Sequence, residues 1–324
     1  MGKRRTRLRD IAEQAGVSVS TVSLVLNDKA QEGNVRISPR TVRRVWRVAG
    51  ETGYLSRGIV GLIVPQIDSY FSLMIMGIMG ALWDKKYSLA MGLHTSWNLQ
   101  REIEEIHVME SKRLDCLIVT PPLGYSEVAE GLPGLFRNKN RVVLMNWVSS
   151  GEIPCVSVDH ERCGYMATKY LLEQNHRRVA FVGVHYSSEN GRSGAPILDA
   201  RFQGYLRAMA EYDQPYISVE RAEDVLDLPE KVTGAYCGRA QWATDLMCAC
   251  WDRGVRVPDD LSVVGQDDNR EREIMRPGVT SVDVRAREVG RRAAHMALSL
   301  TEGKKPGNTT LQPRLVVRGS TRRL

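Results

Sequence analysis

Apolar positions along the chain recur with two different periods. In the first fifty residues the period is helical: Ile11, Ala12 and Ala15 share one face, and Val22, Val25 and Leu26 share another. Gly16 between them supplies the permissive backbone of a tight turn, and Ser18 is placed to cap the second helix. Ser38 and Pro39 open a third helix, with Val42, Val45 and Trp46 interleaved among arginines, that closes near Gly53.

From Ile59 the pattern becomes short apolar runs alternating with amphipathic stretches. The runs at 59–65, 87–93, 115–121 and 141–147 predict strands, and 72–85, 99–113 and 126–138 predict helices between them. The step of about 28 residues is that of a βα unit with a right-handed crossover. Runs this continuously apolar imply parallel sheets covered on both faces. A second set of strands is expected at 178–184, 216–220, 233–238 and 261–268, with helices at 160–175, 199–213 and 239–254. Segments 155–159, 280–284 and 313–317 read as crossings between two lobes, and the helix at 285–302 as a return to the first.

The fold class is therefore α/β: an all-α helix-turn-helix head followed by a bilobed core of two doubly wound parallel sheets. The expected domains are a head at 1–54, a short linker at 55–60, a first lobe at 61–157 plus 285–310, and a second at 158–284 plus 311–324.

In the head, the second helix leaves Val19, Ser20, Ser23 and Leu24 on the face away from the helical core. Small hydroxyls and apolar side chains suit base edges and thymine methyls in a major groove. With Arg7, Ser18, Thr21 and Asn27 around them, these are the candidate DNA-binding residues. The same spacing would serve an ordinary surface hairpin of helices. Charge separates the two readings. The 324 residues hold 45 Lys and Arg against 38 Asp and Glu; residues 1–57 carry twelve of the former and five of the latter. The whole excess of seven lies in these 57 residues, the head and the start of the linker, where a polyanion-binding module needs it. A solvated tail would account for Lys3, Arg4 and Arg5, but not for Arg40, Arg43, Arg44 and Arg47 on the third helix.

Length and a 43% hydrophobic content allow more than one core, and no apolar run approaches the ~18–20 residues of a membrane span. The basic N-terminus leads into an amphipathic helix and not into a signal-peptide core, so a cytoplasmic protein is expected. Cys116, Cys155 and Cys237 sit in strand-like runs, and Cys163, Cys248 and Cys250 in helical ones. Without CxxC spacing they read as reduced, mostly buried thiols. Motifs of phosphate cradles, zinc hydrolases and nucleophile elbows are absent, so no catalytic residue, metal or cofactor is expected, and the chain reads as no enzyme. The loop at 183–194 reads as flexible, at the mouth of a cleft. His176 reads as polar surface, and His160, after Asp159 at a crossing, as able to face the cleft.

The segments IAEQAGVSVSTVSLVLN, SPRTVRRV closing at GETGY, GLIVP, HRRVAFVG, ARFQGY, RGVRVPDDLSVVGQDD, RPGVTSVDV and PRLVVRGST, in this order, resemble the LacI/GalR family of bacterial transcription regulators over nearly the whole chain. The resemblance implies a homodimeric regulator, and the expected mode is a repressor whose two heads sit on a pseudo-palindromic double-stranded operator. It also implies a periplasmic-binding-protein-like core clamping a small effector, commonly a sugar. It places Arg201 and Asp267 as effector ligands, with Tyr70 and Phe71 as aromatic walls. A plain Arg201–Asp267 pair across the cleft is the alternative. A solute-binding protein, or a regulator with no effector, on the same fold is the other reading of the whole chain.

Three departures from the family change the expectations. Only Leu55–Val60 separate Tyr54 from Gly61, six residues that reach at most about 20 Å. No hinge helix, and no central kink in the operator, is expected. Leu24 stands where an arginine is common; it meets a thymine methyl or packs on the third helix. Arg239-Ala240 replace Asn-Asp, Asn146-Trp147 replace Asp-Arg, and Gln266 replaces an aromatic residue. Arg239 beside Arg201 would set two guanidiniums against one carboxylate, which suits an anionic sugar derivative; Asn146 completes the candidate effector residues.

Overall fold

The structure, a computed structural model, describes residues 7–27, 30, 36–52, 58–93, 99–112, 114–121, 132–146, 152–183 and 196–324. The head contains α1 (Leu8–Ala15), α2 (Val19–Leu26) and α3 (Pro39–Glu51). Ile11, Ala12 and Ala15 meet Val22 and Val25, and Val45, Val48 and Ala49 close the core. Gly16 ends α1 at φ 61°, the left-handed conformation that a residue without Cβ adopts freely. Ser18 Oγ accepts from the Thr21 N–H at 3.0 Å, and Ser38 Oγ from the Thr41 N–H at 3.2 Å. Each such cap is worth about 1 kcal/mol. Helix α3 stops at Glu51, two residues short of the expected Gly53, because Thr52 turns its hydroxyl back to the Val48 carbonyl at 2.7 Å.

The core consists of two six-stranded sheets. The first contains β1 (Gly58–Val64), β2 (Tyr87–Leu93), β3 (Cys116–Val119), β4 (Val142–Met145), β5 (Cys155–Val158) and β11 (Thr309–Leu311), in the order β11-β5-β4-β3-β1-β2. The second contains β6 (Val179–Val182), β7 (Ile217–Val219), β8 (Gly234–Cys237), β9 (Ser262–Gln266), β10 (Thr280–Asp283) and β12 (Arg314–Val316), in the order β12-β10-β9-β8-β6-β7. Within the second sheet all pairings are parallel except β10 with β12. The helices are α4 (Ser69–Trp83), α5 (Leu99–Ser111), α6 (His160–Glu173), α7 (Pro196–Glu211), α8 (Ala240–Asp252), α9 (Arg270–Ile274) and α10 (Ala286–Thr301). As expected, α10 returns to the first sheet, packing on β3, β4 and β5.

The segments expected as crossings are themselves strands β5, β10 and β12; the chain crosses just beyond β5 and β10 and just before β12. Val158 and Leu311 stay in the first sheet, one residue past the expected boundaries. Gly58–Val60, expected in the linker, already form the start of β1, and Leu55–Arg57 lie outside the described residues. The expected helix at 126–138 is described only from 132. There it is a 3-10 turn, Leu132–Leu135, with a second at Lys139–Arg141. Pro133 and Gly134 in the first turn disfavour a regular α-helix. The loop at 184–195 and Trp147 also lie outside the described residues. Among the described residues no helix is long and apolar enough to cross a membrane.

Helices α6 and α7 meet backbone to backbone. A Cβ on Gly164 would stand 1.8 Å from the Arg201 carbonyl oxygen, and one on Gly204 would stand 1.9 Å from that of Glu161. This approach brings the first residue of α6, His160, beside Arg201.

Candidate DNA-reading head and ligand clamp

In the head, α2 presents an exposed edge. Val19 is 44% exposed, and Ser20 and Asn27 are also exposed. Ser18 Oγ lies 2.7 Å from Ser20 Oγ and 2.8 Å from Thr21 Oγ1, so capping and presentation of the first-turn hydroxyls are one network. Asn27 Nδ2 donates to the Ser23 carbonyl at 2.9 Å, and the exposed Arg7 donates its N–H to Asp10 Oδ2 at 2.6 Å. Ser23 and Thr21 are half-buried. Leu24 is half-buried too and packs against the head core, so of its two expected roles packing is the one the structure displays. On α3, Arg40, Arg43, Arg44 and Arg47 are exposed, and Arg47 is tied to Glu51 at 3.1 Å.

Within the core, the carboxyl ends of strands from both sheets supply a buried polar cluster. Arg201, on α7, donates from Nη1 to the Gly238 carbonyl at 2.6 Å, and its Nη2 lies 3.3 Å from His160 Nδ1. Asp267 Oδ1 is 4.0 Å from Arg201 Nη2. Tyr236, at the end of β8, donates its hydroxyl to Gln266 Oε1 at 2.7 Å. From the first lobe, Tyr70 donates to Asn146 Oδ1 at 2.9 Å, and Ser69 Oγ accepts from Asn269 Nδ2 of the second lobe at 3.0 Å. Asn146 and Asp267 end their strands at φ 58° and 63°, left-handed positions that Asn and Asp tolerate better than most side chains. Phe71 is buried edge-on to Tyr70, with ring centroids 5.3 Å apart.

Burial governs the titration of this cluster. It pushes His160 well below the ordinary imidazole value, with the Arg201 charge acting the same way. It raises the Asp267 carboxyl against the attraction of Arg201, and raises the Cys163 thiol to about 12. At neutral pH His160 is therefore uncharged.

Several sequence-based expectations need correction here. Helix α7 begins at Pro196, three residues before the expected start at 199, so Arg201 lies beyond its first turn. Arg239 is not the second buried guanidinium: it lies over the Trp242 ring, 5.3 Å from the centroid, in a cation–π contact. That role falls to Arg272, 1% exposed, which bonds Thr244 Oγ1 at 2.9 Å and the Ala240 carbonyl at 2.5 Å. His176 is not surface. It is fully buried, with Nδ1 3.0 Å from Thr233 Oγ1 and Nε2 3.1 Å from the Arg322 carbonyl. Gln266 and Tyr236 join the cluster without having been site candidates. A polar residue ending an otherwise apolar strand was the available signal for Gln266, whereas Arg272 in NREREI resembles any charged surface turn.

A helix-turn-helix head joined to a two-lobed core defines a class, the DNA-binding transcription regulators. A family model described as bacterial regulatory proteins, lacI family, matches residues 7–56, and one for a periplasmic binding protein-like domain matches 168–321. The head is that of the bacterial lacI regulatory family, and the core is similar to periplasmic binding protein-like domains. Catabolite control protein A of Priestia megaterium is 29% identical over 300 residues, covering 84% of this chain and 86% of that protein. The HTH-type transcriptional repressor PurR of Vibrio campbellii is 25% identical over 347 residues, covering 98% and 99%. Among solved structures, the lac repressor dimer bound to operator and an anti-inducer superposes with a TM-score of 0.72 at 21% identity, covering 98% of this chain and all of that one. The regulator CelR in complex with cellobiose gives 0.67 at 23% identity, with 98% of this chain covered.

Proposed function

We propose that this protein is an effector-controlled repressor. Two heads of a homodimer grip a pseudo-palindromic operator, and a small polar effector closes between the core lobes. The observation that carries the reading is the exposed first turn of α2, with Val19 and Ser20 uppermost, in a head that with the start of its linker holds the chain's entire positive excess. Val19, Ser20, Ser23 and the exposed part of Leu24 read base edges; Arg7, Ser18, Thr21 and Asn27 hold the backbone. Half-site centres fall about 34–36 Å apart, or a multiple of that. The protein works in the cytoplasm, where its operator is.

The head, linker and two discontinuous lobes assigned from sequence are the working units, with the lobe boundaries moved to follow Val158 and Leu311. Tyr70, Asn146, Arg201 and Asp267 face the effector, Phe71 backs Tyr70, and Arg239 flanks the site from its place over Trp242. Dimerisation is supported by apolar side chains left in water: Met76 and Met79 on α4 are 52% and 53% exposed, and Trp251 on α8 is 82% exposed. The relatives named above are regulators, which supports a non-enzymatic role.

The test is selection of bound duplexes from random sequence with the full-length protein, followed by titration of a recovered site against salt. Recovery of two-fold symmetric sites whose affinity falls steeply with salt is the expected result. A folded dimer that binds no duplex at low salt refutes the regulator, and would leave a solute-binding protein as the reading of the core.

A further inference from the structure

Four polar atoms of the clamp are buried without a hydrogen-bond partner: Arg201 Nε, His160 Nε2, Gln266 Nε2 and Asp267 Oδ1. The four residues are themselves nearly inaccessible, at 4%, 6%, 0% and 9% exposed. Native proteins leave few buried polar groups unpaired, because each keeps the cost of lost hydration with nothing to replace it.

The neighbours of these atoms define what each one wants. Arg201 has only donors, so the 3.3 Å contact from its Nη2 makes His160 Nδ1 the acceptor, and the ring proton sits on Nε2. Gln266 Oε1 accepts from the Tyr236 hydroxyl, leaving the amide N–H group as its open side, close enough to the Asp267 carboxyl and the Cys163 thiol to favour their ionised forms but without a formed hydrogen bond. Arg201 Nε is a donor by nature. The open positions are thus three donors and one acceptor, Asp267 Oδ1. Buried charge is also unbalanced. Arg201 and Arg272 are both guanidiniums, Asp267 is the buried carboxylate within their electrostatic reach, and the hydrogen bonds of Arg272 go to a hydroxyl, a carbonyl and a thioether. Glu271, beside Arg272, faces solvent, as does Asp68, the further carboxylate near Asp267.

We infer that the clamp takes a small polyhydroxy carboxylate, whose carboxylate accepts from Arg201, His160 and Gln266 while a neighbouring hydroxyl donates to Asp267. This rests on the reading of the cleft as the effector site and narrows it to a ligand class. A carboxylate with one adjacent hydroxyl fills all four positions and leaves no proton over. Three hydroxyls of a neutral sugar could accept from the same three donors, but their own three hydrogens would then compete for one carboxylate oxygen. The half-buried Asp245 also acts on Arg272, so with Asp267 and a monoanion the two buried guanidiniums are fully met, and a phosphate dianion would put negative charge in excess.

The experiment is calorimetric titration of the full-length protein with matched pairs: L-threonate against L-threitol, D-galactonate against galactitol, and galactose 6-phosphate as the phosphate arm. At least one aldonate is expected to bind tenfold or more tightly than its alditol and than the phosphate. Equal or tighter binding of the alditols, tighter binding of the phosphate, or no binding of any aldonate overturns the inference. Gln266→Glu keeps the acceptor for Tyr236 and turns the open donor into an anion, and is expected to abolish the preference. His160→Phe removes a donor at similar shape, and is expected to weaken the aldonate at least tenfold and the alditol less than threefold. Thermal unfolding of both variants establishes that they are folded, and wild-type discrimination decides the matter if either is not. A duplex titration of the same wild-type preparation separates the two claims. Aldonate discrimination without duplex binding leaves this inference standing and removes the regulator; duplex binding without discrimination does the reverse.

Discussion

Gly164 lies against Arg201 so closely that a methyl group at 164 would sit 1.8 Å from the Arg201 carbonyl oxygen. The obstacle is backbone, which cannot rotate aside as a side chain would. Gly164→Ala is therefore expected to push α6 from α7 and lower stability by roughly 1–3 kcal/mol. Gly307→Ala, where nothing stands within 4 Å of the new atom, is the control and is expected to change stability by less than about 0.5 kcal/mol. Denaturant unfolding of the two variants compares them directly. Equal stabilities would mean that the helices do not touch as described.

Much of this fold is legible in the chain, and the reasons differ by element. Strand β2 runs over Tyr87–Leu93, the span its apolar residues predict, and α1 and α2 bury the residues whose spacing marks them. Periodicity reports a buried face, so it finds what has one. Strand β11, Thr309–Leu311, is three residues long and only Leu311 is buried, which leaves no alternation to read. The start of α7 at Pro196 is obscured for another reason: Asp199 resembles an N-cap, and a first turn welcomes a carboxylate almost as well as a cap position does. Family likeness marks Arg201 and Asp267 in the sequence, but the partners that complete the clamp depend on geometry. Whether an arginine like Arg272 points inward is decided by Ala240 and Thr244, more than twenty-five residues earlier in the chain.

His176 joins the start of β6 to the tail of the chain. The Arg322 carbonyl can only accept, so Nε2 carries the proton and Nδ1 accepts from the Thr233 hydroxyl. Burial lowers the imidazole below its ordinary 6.5. A base with a depressed folded value contributes stability above the unfolded value, and that contribution fades as pH falls through the folded one. Unfolding midpoints are expected to drop as the pH is lowered through and below 6.5, and less so in His176→Gln. Parallel pH profiles for the two proteins would remove His176 as the cause.

Of the six cysteines, Cys248 alone is exposed. Burial raises Cys116 and Cys163 to about 12 and Cys250 to about 11, which removes their thiolates at neutral pH as well as their access. A neutral-pH titration with a chromogenic disulfide is expected to show one fast thiol per chain in the native protein and six after denaturation. Cys248→Ser is expected to remove the fast phase. Two or more fast thiols would contradict the packing of α6, of α8 at Cys250, or of the strands.

The proposed division of labour in the head separates affinity from sequence choice, and the two can be measured apart. Arg43 is exposed on α3 among other arginines, and Ser20 is exposed at the start of α2. If Arg43 neutralises a phosphate, Arg43→Ala releases one fewer counterion. The slope of log affinity against log salt then falls by about 0.9, and every duplex is weakened alike. If Ser20 touches a base edge, Ser20→Ala keeps the slope and costs about 1–3 kcal/mol on the preferred site only, so the selected sites drift at one position in each half. Anisotropy titrations at several salt concentrations, on a selected site and on a scrambled one, give all four numbers. The assignment fails if Arg43→Ala discriminates between the duplexes, or if Ser20→Ala weakens both equally. The first result would give α3 a share of the reading, and the second would put α2 on the backbone and move the reading surface to another part of the head.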